Sequence, residues 1–251
     1  MSIKITIFGY GFVGRAHENV LKGLHDITIV DPVLDLTDPG NPDAVIIAVS
    51  TPQSKTGECY MQNVYDVLKQ CKKDIPILIK STISLEGWQY IEKEFGHLTI
   101  TFSPEFLRAA TALQDFENAD TFYFGGGDDV FWAGLFWQEG RRMFSRKPEE
   151  LIMMKYSVNT FLALKVAYFN QINDLCDAWD IDYDSVKTLI QHDERIGDSH
   201  MDISEERGFG GHCFPKDTEA LLATSDVSKS NMSILEAAVE YNRMTRDWSN
   251  D

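Results

Sequence analysis

The sequence contains no run of about 18 apolar residues, the length a helix needs to cross a bilayer. Its 251 residues include only four cysteines, Cys59, Cys71, Cys176 and Cys213, and none forms a CxxC pair. That scarcity excludes a disulfide framework and fits reduced thiols in a cytosol. Basic residues are also in short supply, 23 against 39 acidic ones, for a net charge of −16. So acidic a chain repels nucleic-acid phosphates and anionic lipid, which argues against both as partners. The opening "MSIKITIFGYGFVG" reads as a strand and a turn rather than a signal peptide. Low-complexity tracts and internal repeats are absent. What remains is ordinary globular composition, 43% apolar and 25% charged, in a chain long enough for two modest domains. The expected location is cytoplasmic.

Up to Pro148 the chain alternates short apolar strands with helical stretches. "IKITIF", "DITIVD", "DAVIIAVSTP", "PILIKST", "LTITFSPEF" and "TFYFGG" read as strands, the third a near-continuous apolar run suited to a parallel sheet. Helices are expected at about 61–73 and 86–95. The pattern predicts an α/β fold, a Rossmann-like doubly wound parallel sheet, over residues 1–148. After "SRKPEE" the pattern turns helical. A stretch of about 30 residues without Gly or Pro begins at Glu149 and exceeds an ordinary globular helix, which suggests a bridging or dimer-forming element. Further helices are expected at "DYDSVKTLIQHD" and at the close of the chain, giving an α-helical domain over 149–251.

Gly9, Gly11 and Gly14 form G-x-G-x-x-G after a strand and before a helix, and the acid Asp31 ends the next strand. That context is a dinucleotide fingerprint. The first glycine permits the turn, the second admits the pyrophosphate, and the third lets helix and strand pack closely. Helix N-terminal amides would face the diphosphate. Asp31 would accept from the adenosine ribose hydroxyls and repel a 2′-phosphate, favouring NAD over NADP. Arg15 reaches either phosphate or solvent. A tight turn without ligand is the alternative. The segment between Asp31 and Asp43 is too short for a crossover helix.

In the second half, Lys155 and Asn159 share one face of the long helix. Among apolar neighbours, Lys155 either snorkels at an edge or sits in a pocket; periodicity favours the edge. Cys213 ends the glycine stretch "GFGGHC" with His212, Lys216 and Asp217 beside it. A thiolate there can attack an aldehyde carbon, and Asp217 can act as a base. The alternatives are a structural cysteine and a flexible turn. His192, His200, His212 and Cys213 match no compact metal-ligand spacing, so no metal is expected.

"GYGFVG", "STPQ", "KSTI", "SPEFLR", "KYSVNTFLALKVAYFNQI", "DERIG" and "GFGGHCFPKDTEALL" together resemble the UDP-glucose/GDP-mannose dehydrogenases, in that family's order. The resemblance implies an NAD-dependent enzyme that oxidises the C6 alcohol of a nucleotide sugar twice, to a carboxylate, in polysaccharide synthesis. It implies that Cys213 is the nucleophile, that Lys155 and Asn159 stabilise the oxyanion, and that Asp217 with a water held by Thr82 accepts the alcohol proton. Glu105 is implied in thioester hydrolysis. Cofactor contacts are implied for Gly9, Tyr10, Gly11, Phe12, Val13, Gly14, Asp31, Ser50, Thr51, Pro52 and Thr82. Substrate contacts are implied for Phe106, Leu107, Arg108, Lys155, Asn159, Gly210, Gly211 and Lys216, with Arg195 reaching the partner subunit's site.

Three departures from the family pattern stand out. Ala109 occupies the place of a family glutamate, the Asp31–Asp43 segment is short, and the chain stops at Asp251, before the family's nucleotide-gripping domain. The expected reading is a minimal dehydrogenase acting on a nucleotide sugar or a smaller sugar alcohol. A non-catalytic NAD-binding module and a catalytic half needing a separate nucleotide-binding chain are the alternatives. A homodimer through Phe161, Leu164, Val166 and Phe169 of the long helix is expected.

Overall fold

The computed structural model describes residues 2–249; Met1, Asn250 and Asp251, the outer ends of the two expected domains, lie outside the described residues. The chain forms two compact units, one of residues up to Ser54 with Cys59–Lys155, the other of Lys55–Glu58 with the residues from Tyr156 onward. They part between Lys155 and Tyr156, within the long helix, whereas the expected boundary at 148/149 marks that helix's start.

The first unit is built on β1 (Lys4–Phe8), β2 (Asp26–Val30), β3 (Ala44–Ile47), β4 (Pro76–Ile79) and β5 (Thr99–Phe102), all parallel, in the order β2-β1-β3-β4-β5. Crossovers are made by α1 (Phe12–Leu21), α2 (Gln62–Leu68) and α3 (Leu85–Phe95). Between β2 and β3 there is only the 3₁₀ turn Pro32–Leu34, as the short segment requires. Ile5, Ile7, Ala44, Ile46 and Leu78 pack one sheet face against Leu21 of α1, Phe116 of α4 (Ala112–Glu117), and Trp132 and Phe136 of α5 (Asp129–Phe136). On the opposite face Val45, Ile47, Ile77 and Ile79 are equally buried. At about 1.5–3 kcal/mol for each large side chain, this two-sided core is what makes the central strands continuous apolar runs.

"TFYFGG" does not extend the sheet as a sixth parallel strand. It forms β6 (Thr121–Phe124), which pairs in parallel with β7 (Arg142–Ser145) in a two-stranded sheet, and the next residue, Gly125, makes an antiparallel bridge to Phe102 of β5. Gly126 and Gly127 follow with φ of 76° and 53°, turning the chain away. A side chain at Gly127 would press on the Ile100 backbone at 2.5 Å, so glycine is needed there.

The second unit contains most of α6 (Pro148–Ala178), then α7 (Tyr183–Gln191), α8 (Phe214–Ser228) and α9 (Ser233–Thr245). Glu149 and Glu150 in the first turn of α6 complement its dipole. At 31 residues α6 runs about 46 Å. Its buried positions Tyr156, Asn159, Thr160, Ala163, Ala167 and Asn170 recur at helical spacing. Phe169 and Cys176 of α6 pack with Tyr183 of α7 and with Met201, whose carbonyl accepts a 2.6 Å bond from the Tyr183 hydroxyl. Phe169 therefore belongs to this unit's own core, which removes it from the expected dimer surface. Phe161 is exposed, and Leu164 and Val166 are half-buried.

Candidate active site

The glycine turn opens α1, and each glycine has a separate steric reason. Gly9 has φ +93°, and a Cβ there would lie 2.5 Å from the Ala48 carbonyl oxygen. A Cβ on Gly14 would collide with the Gly9 carbonyl oxygen, so this glycine sets the close approach of helix and strand. Gly11, the N-cap of α1, has no atom within 4 Å of an added Cβ and, lacking a side chain, leaves the helix N–H groups uncapped from that position. That open N-terminus, with no acid in its first turn, suits a diphosphate. Asp31 accepts from the Tyr10 N–H at 2.7 Å and from the Val33 N–H at 2.9 Å, one bond on each oxygen. Each oxygen keeps a lone pair for a ribose hydroxyl. Phe12 and Val13 pack on the core, and Arg15 stays exposed over the Tyr10 ring at 5.3 Å. These residues fit a dinucleotide.

Beyond β3, Thr51 is buried and Ser50 and Pro52 lie nearer solvent. The Asn63 amide fixes this turn by donating to the Ser50 carbonyl at 2.9 Å. Beyond β4, Thr82 is buried and its carbonyl accepts from the Cys59 thiol.

After β5 the chain enters a buried turn at Ser103–Glu105. Lys155, 2% exposed, donates to the Glu105 carbonyl at 2.6 Å and to its carboxylate at 3.1 Å. This burial overturns the expectation that Lys155 snorkels: the apolar stripe of α6 carries it inward, and the Glu105 oxygens compensate its charge. The other Glu105 oxygen accepts from the Leu107 N–H at 2.8 Å. Phe106 is partly exposed, with the Lys155 ammonium 5.5 Å from its ring centroid. The Leu107 side chain is buried in the core, and the Arg108 fork is held by Asp115 at 2.6 and 3.1 Å.

Sequence reasoning gave no role to Lys80. It directly follows β4, is 4% exposed, and donates to the Ser103 hydroxyl and the Pro104 carbonyl, each at 3.0 Å. Burial pushes its ammonium down to about 7; Glu105 opposes that fall and Lys155 adds to it.

In the second unit, Asn159 donates to the Asp217 carboxylate at 2.6 Å, and Lys216 donates to its other oxygen at 2.6 Å. Asp217 is 1% exposed. It sits in the first turn of α8, whose N-cap is Cys213, and the Asp217 N–H donates to the Cys213 carbonyl at 2.8 Å. The half-buried thiol thus lies at the positive end of a helix dipole, which favours an anion there. All four cysteines are thiols. His212 is exposed.

The loop before Cys213 is not the flexible turn that three glycines suggest. Asn242 of α9, 2% exposed, accepts from the Phe209 N–H at 2.7 Å and donates to its carbonyl at 2.8 Å. Asn170 of α6 accepts from the Gly208 N–H at 3.0 Å. The Arg246 guanidinium lies against Gly210, where any side chain would collide with it, and donates to the Arg207 carbonyl at 2.8 Å. Gly210 is covered on that side, while Gly211, with φ +74°, faces open space. Neither asparagine was found from the sequence, since each acts on a residue more than thirty positions away. Arg195 is exposed, with its fork on Asp193 at 2.6 and 2.9 Å. Among the described residues no group of three or more His, Cys, Asp or Glu side chains is placed to hold a metal ion, and no helix is long and apolar enough to cross a membrane.

Residues 34–134 match the NAD-binding domain of the UDP-glucose/GDP-mannose dehydrogenase family, and residues 149–244 match its central domain. The chain belongs to that family. NAD is the cofactor of the domain these residues match, and the glycine turn lies just ahead of the matched stretch. UDP-glucose 6-dehydrogenase of Rickettsia typhi is 31% identical over 219 residues, which cover 81% of this chain and 50% of the relative. The enzyme of the same name from Rhizobium meliloti is 30% identical over 221 residues, covering 80% and 50%. The chain thus spans about half the length of these curated relatives. Among solved structures, a UDP-glucose dehydrogenase from Pyrobaculum islandicum shares the fold with a TM-score of 0.85 at 24% identity, over 97% of this chain and 68% of that one. A 3-hydroxyisobutyrate dehydrogenase from Mycobacterium tuberculosis shares it with a TM-score of 0.77 at 14% identity, over 100% and 98%.

Proposed function

We propose that this chain is an NAD-dependent oxidoreductase that oxidises the C6 primary alcohol of a UDP-glucose-like nucleotide sugar to the uronic acid. The observation that carries this reading is the head of α8. There Cys213 occupies the N-cap position, and one turn later a buried carboxylate is held by Asn159 and Lys216. The names of the curated relatives support the substrate class.

NAD, held at the glycine turn and Asp31, supplies the hydride acceptor at each of two oxidations. In the first, Asp217, directly or through a water at Thr82, takes the hydroxyl proton as hydride leaves C6. The Cys213 sulfur then adds to the aldehyde carbon, and the carbonyl oxygen becomes an alkoxide that Lys155 and Asn159 stabilise as donors. That thiohemiacetal alkoxide re-forms its carbon–oxygen double bond as the second hydride leaves the same carbon, giving a thioester. Water cleaves the thioester with help from Glu105 and returns the thiol. Sulfur retains the reactive aldehyde between the two hydride transfers. Lys155 must exchange its Glu105 contacts for substrate oxygen during this cycle.

Exposed Phe161, Tyr168 and Leu175 on α6 support a homodimer, and Arg195 would leave Asp193 to reach a substrate across it. A cytoplasmic location keeps Cys213 reduced. The test is a screen of nucleotide sugars and sugar alcohols that follows NADH and counts hydrides per acid formed. Two per acid supports the dehydrogenase. NAD binding without turnover of any sugar overturns it.

A further inference from the structure

Lys80 and Lys155 hold the same three-residue turn. Lys80 binds Ser103 and Pro104; Lys155 binds the carbonyl and the carboxylate of Glu105. The turn is tied to the sheet by the Ser103 N–H, which donates to the Ile79 carbonyl at 3.0 Å, and the Lys80 N–H is tied to the Ile47 carbonyl at 2.8 Å. Lys80 therefore has little freedom to leave, whereas Lys155 stands on a separate helix. We propose that Lys80 is a positioning residue for the oxidation: a fixed second cation that holds the Ser103–Glu105 turn and sets where the Glu105 carboxylate meets Lys155. Its catalytic consequence rests on the dehydrogenase reading above.

Charge counting supports the proposal. Two ammonium groups face one carboxylate in a region almost closed to water. Lys80 in turn acts on the fully buried His17, helping to hold that ring neutral. An unbalanced buried cation is costly, so the cluster either sheds a proton or recruits an anion. Lys80 is the member pushed down to about 7, with Glu105 opposing and Lys155 reinforcing that shift. The cluster therefore exchanges a proton at Lys80 near neutral pH. Arrival of negative charge on a substrate oxygen beside Lys155 would favour the protonated form of Lys80.

A lysine that merely braced the turn would bind Ser103 and Pro104 without sensing Glu105 or Lys155. The experiment labels all lysines at Cε with ¹³C and follows their titration by NMR, with the Lys80 signal assigned by its loss in Lys80→Arg. The expected midpoint is near 7, falling in Glu105→Gln and rising in Lys155→Met. A midpoint near the ordinary lysine value, or one indifferent to both substitutions, overturns the proposal whether or not the chain turns over any sugar. In the kinetic arm, Lys80→Met should lower kcat about tenfold or more and leave the KM for NAD nearly unchanged. If Lys80→Met does not fold, Ser103→Ala takes its place with a smaller loss in kcat. Wild-type rates in a folded variant also overturn the proposal. A wild-type protein inactive on every sugar would count against the dehydrogenase reading alone.

Discussion

Asn159 on α6 donates a 2.6 Å hydrogen bond to the buried carboxylate of Asp217 on α8, joining residues 58 apart in sequence. Lys216 binds the other oxygen, so the carboxylate's orientation is set from two sides. Asp217→Asn keeps the shape and removes the base. Turnover should fall about 100-fold or more, while unfolding in urea shifts by no more than about 1–3 kcal/mol for the altered buried bonds. Wild-type turnover by the folded variant would exclude Asp217 as proton acceptor.

Cys213→Ala should stop acid formation while allowing some aldehyde to escape after a single hydride transfer. The products are distinguished by trapping the aldehyde with a hydrazine and by counting NADH. Acid formed at the wild-type rate would remove the thiol from the chemistry.

Asp31 bonds both the glycine turn and the 3₁₀ turn after β2. Asp31→Ala should weaken NAD binding about tenfold or more and reduce discrimination against NADP, as measured by calorimetry with each cofactor. A stability loss of about 1–2 kcal/mol should accompany it, because two backbone donors lose their acceptor.

His17 is fully buried against Phe116 and Phe136, and its Nδ1 lies 2.8 Å from the Val13 carbonyl, so Nδ1 carries the proton. Its Nε2 has no hydrogen-bond partner among the described residues. Burial, reinforced by Lys80, pushes the ring from the ordinary 6.5 down to about 3. The unfolded chain therefore binds a proton that the folded chain refuses between those values, and the folded state loses stability as pH drops through that window. His17→Leu should flatten urea midpoints measured from pH 6.5 towards pH 3. An unchanged acid slope would contradict the assignment.

Asn242→Leu removes both bonds to Phe209. Amide exchange at 207–212 should accelerate, and stability should fall by about 2 kcal/mol. NAD affinity should hold, because the glycine turn at Gly9–Gly14 lies in the other unit.

The parallel sheet was legible because its strands are continuous apolar runs separated by helical periods, and the glycine turn announced the first crossover. Three elements were missed for physical reasons. α4 has only six residues, α5 ("DVFWAGLF") is apolar on nearly every side and so shows no periodicity, and β7 pairs with no strand of the main sheet. At the site, Cys213, Asn159 and Asp217 were readable from their motif. The burial of Lys155 was not, because helical spacing is the same for an edge lysine and an enclosed one. Lys80 went unassigned because a lysine beside "PILI" looks like a strand end turning to solvent. The fixed loop before Cys213 was misjudged because its restraints come from distant asparagines, and local glycine content measures only the freedom of an isolated chain.

That restraint has a kinetic meaning. With Phe209 gripped at both its donor and its acceptor, the backbone leading to the sulfur is ordered once, as the chain folds, instead of anew at each encounter with a ligand. In the proposed cycle, attack by the sulfur would need no slow search through loop conformers, and any sluggish stage should be sought in the departure of products.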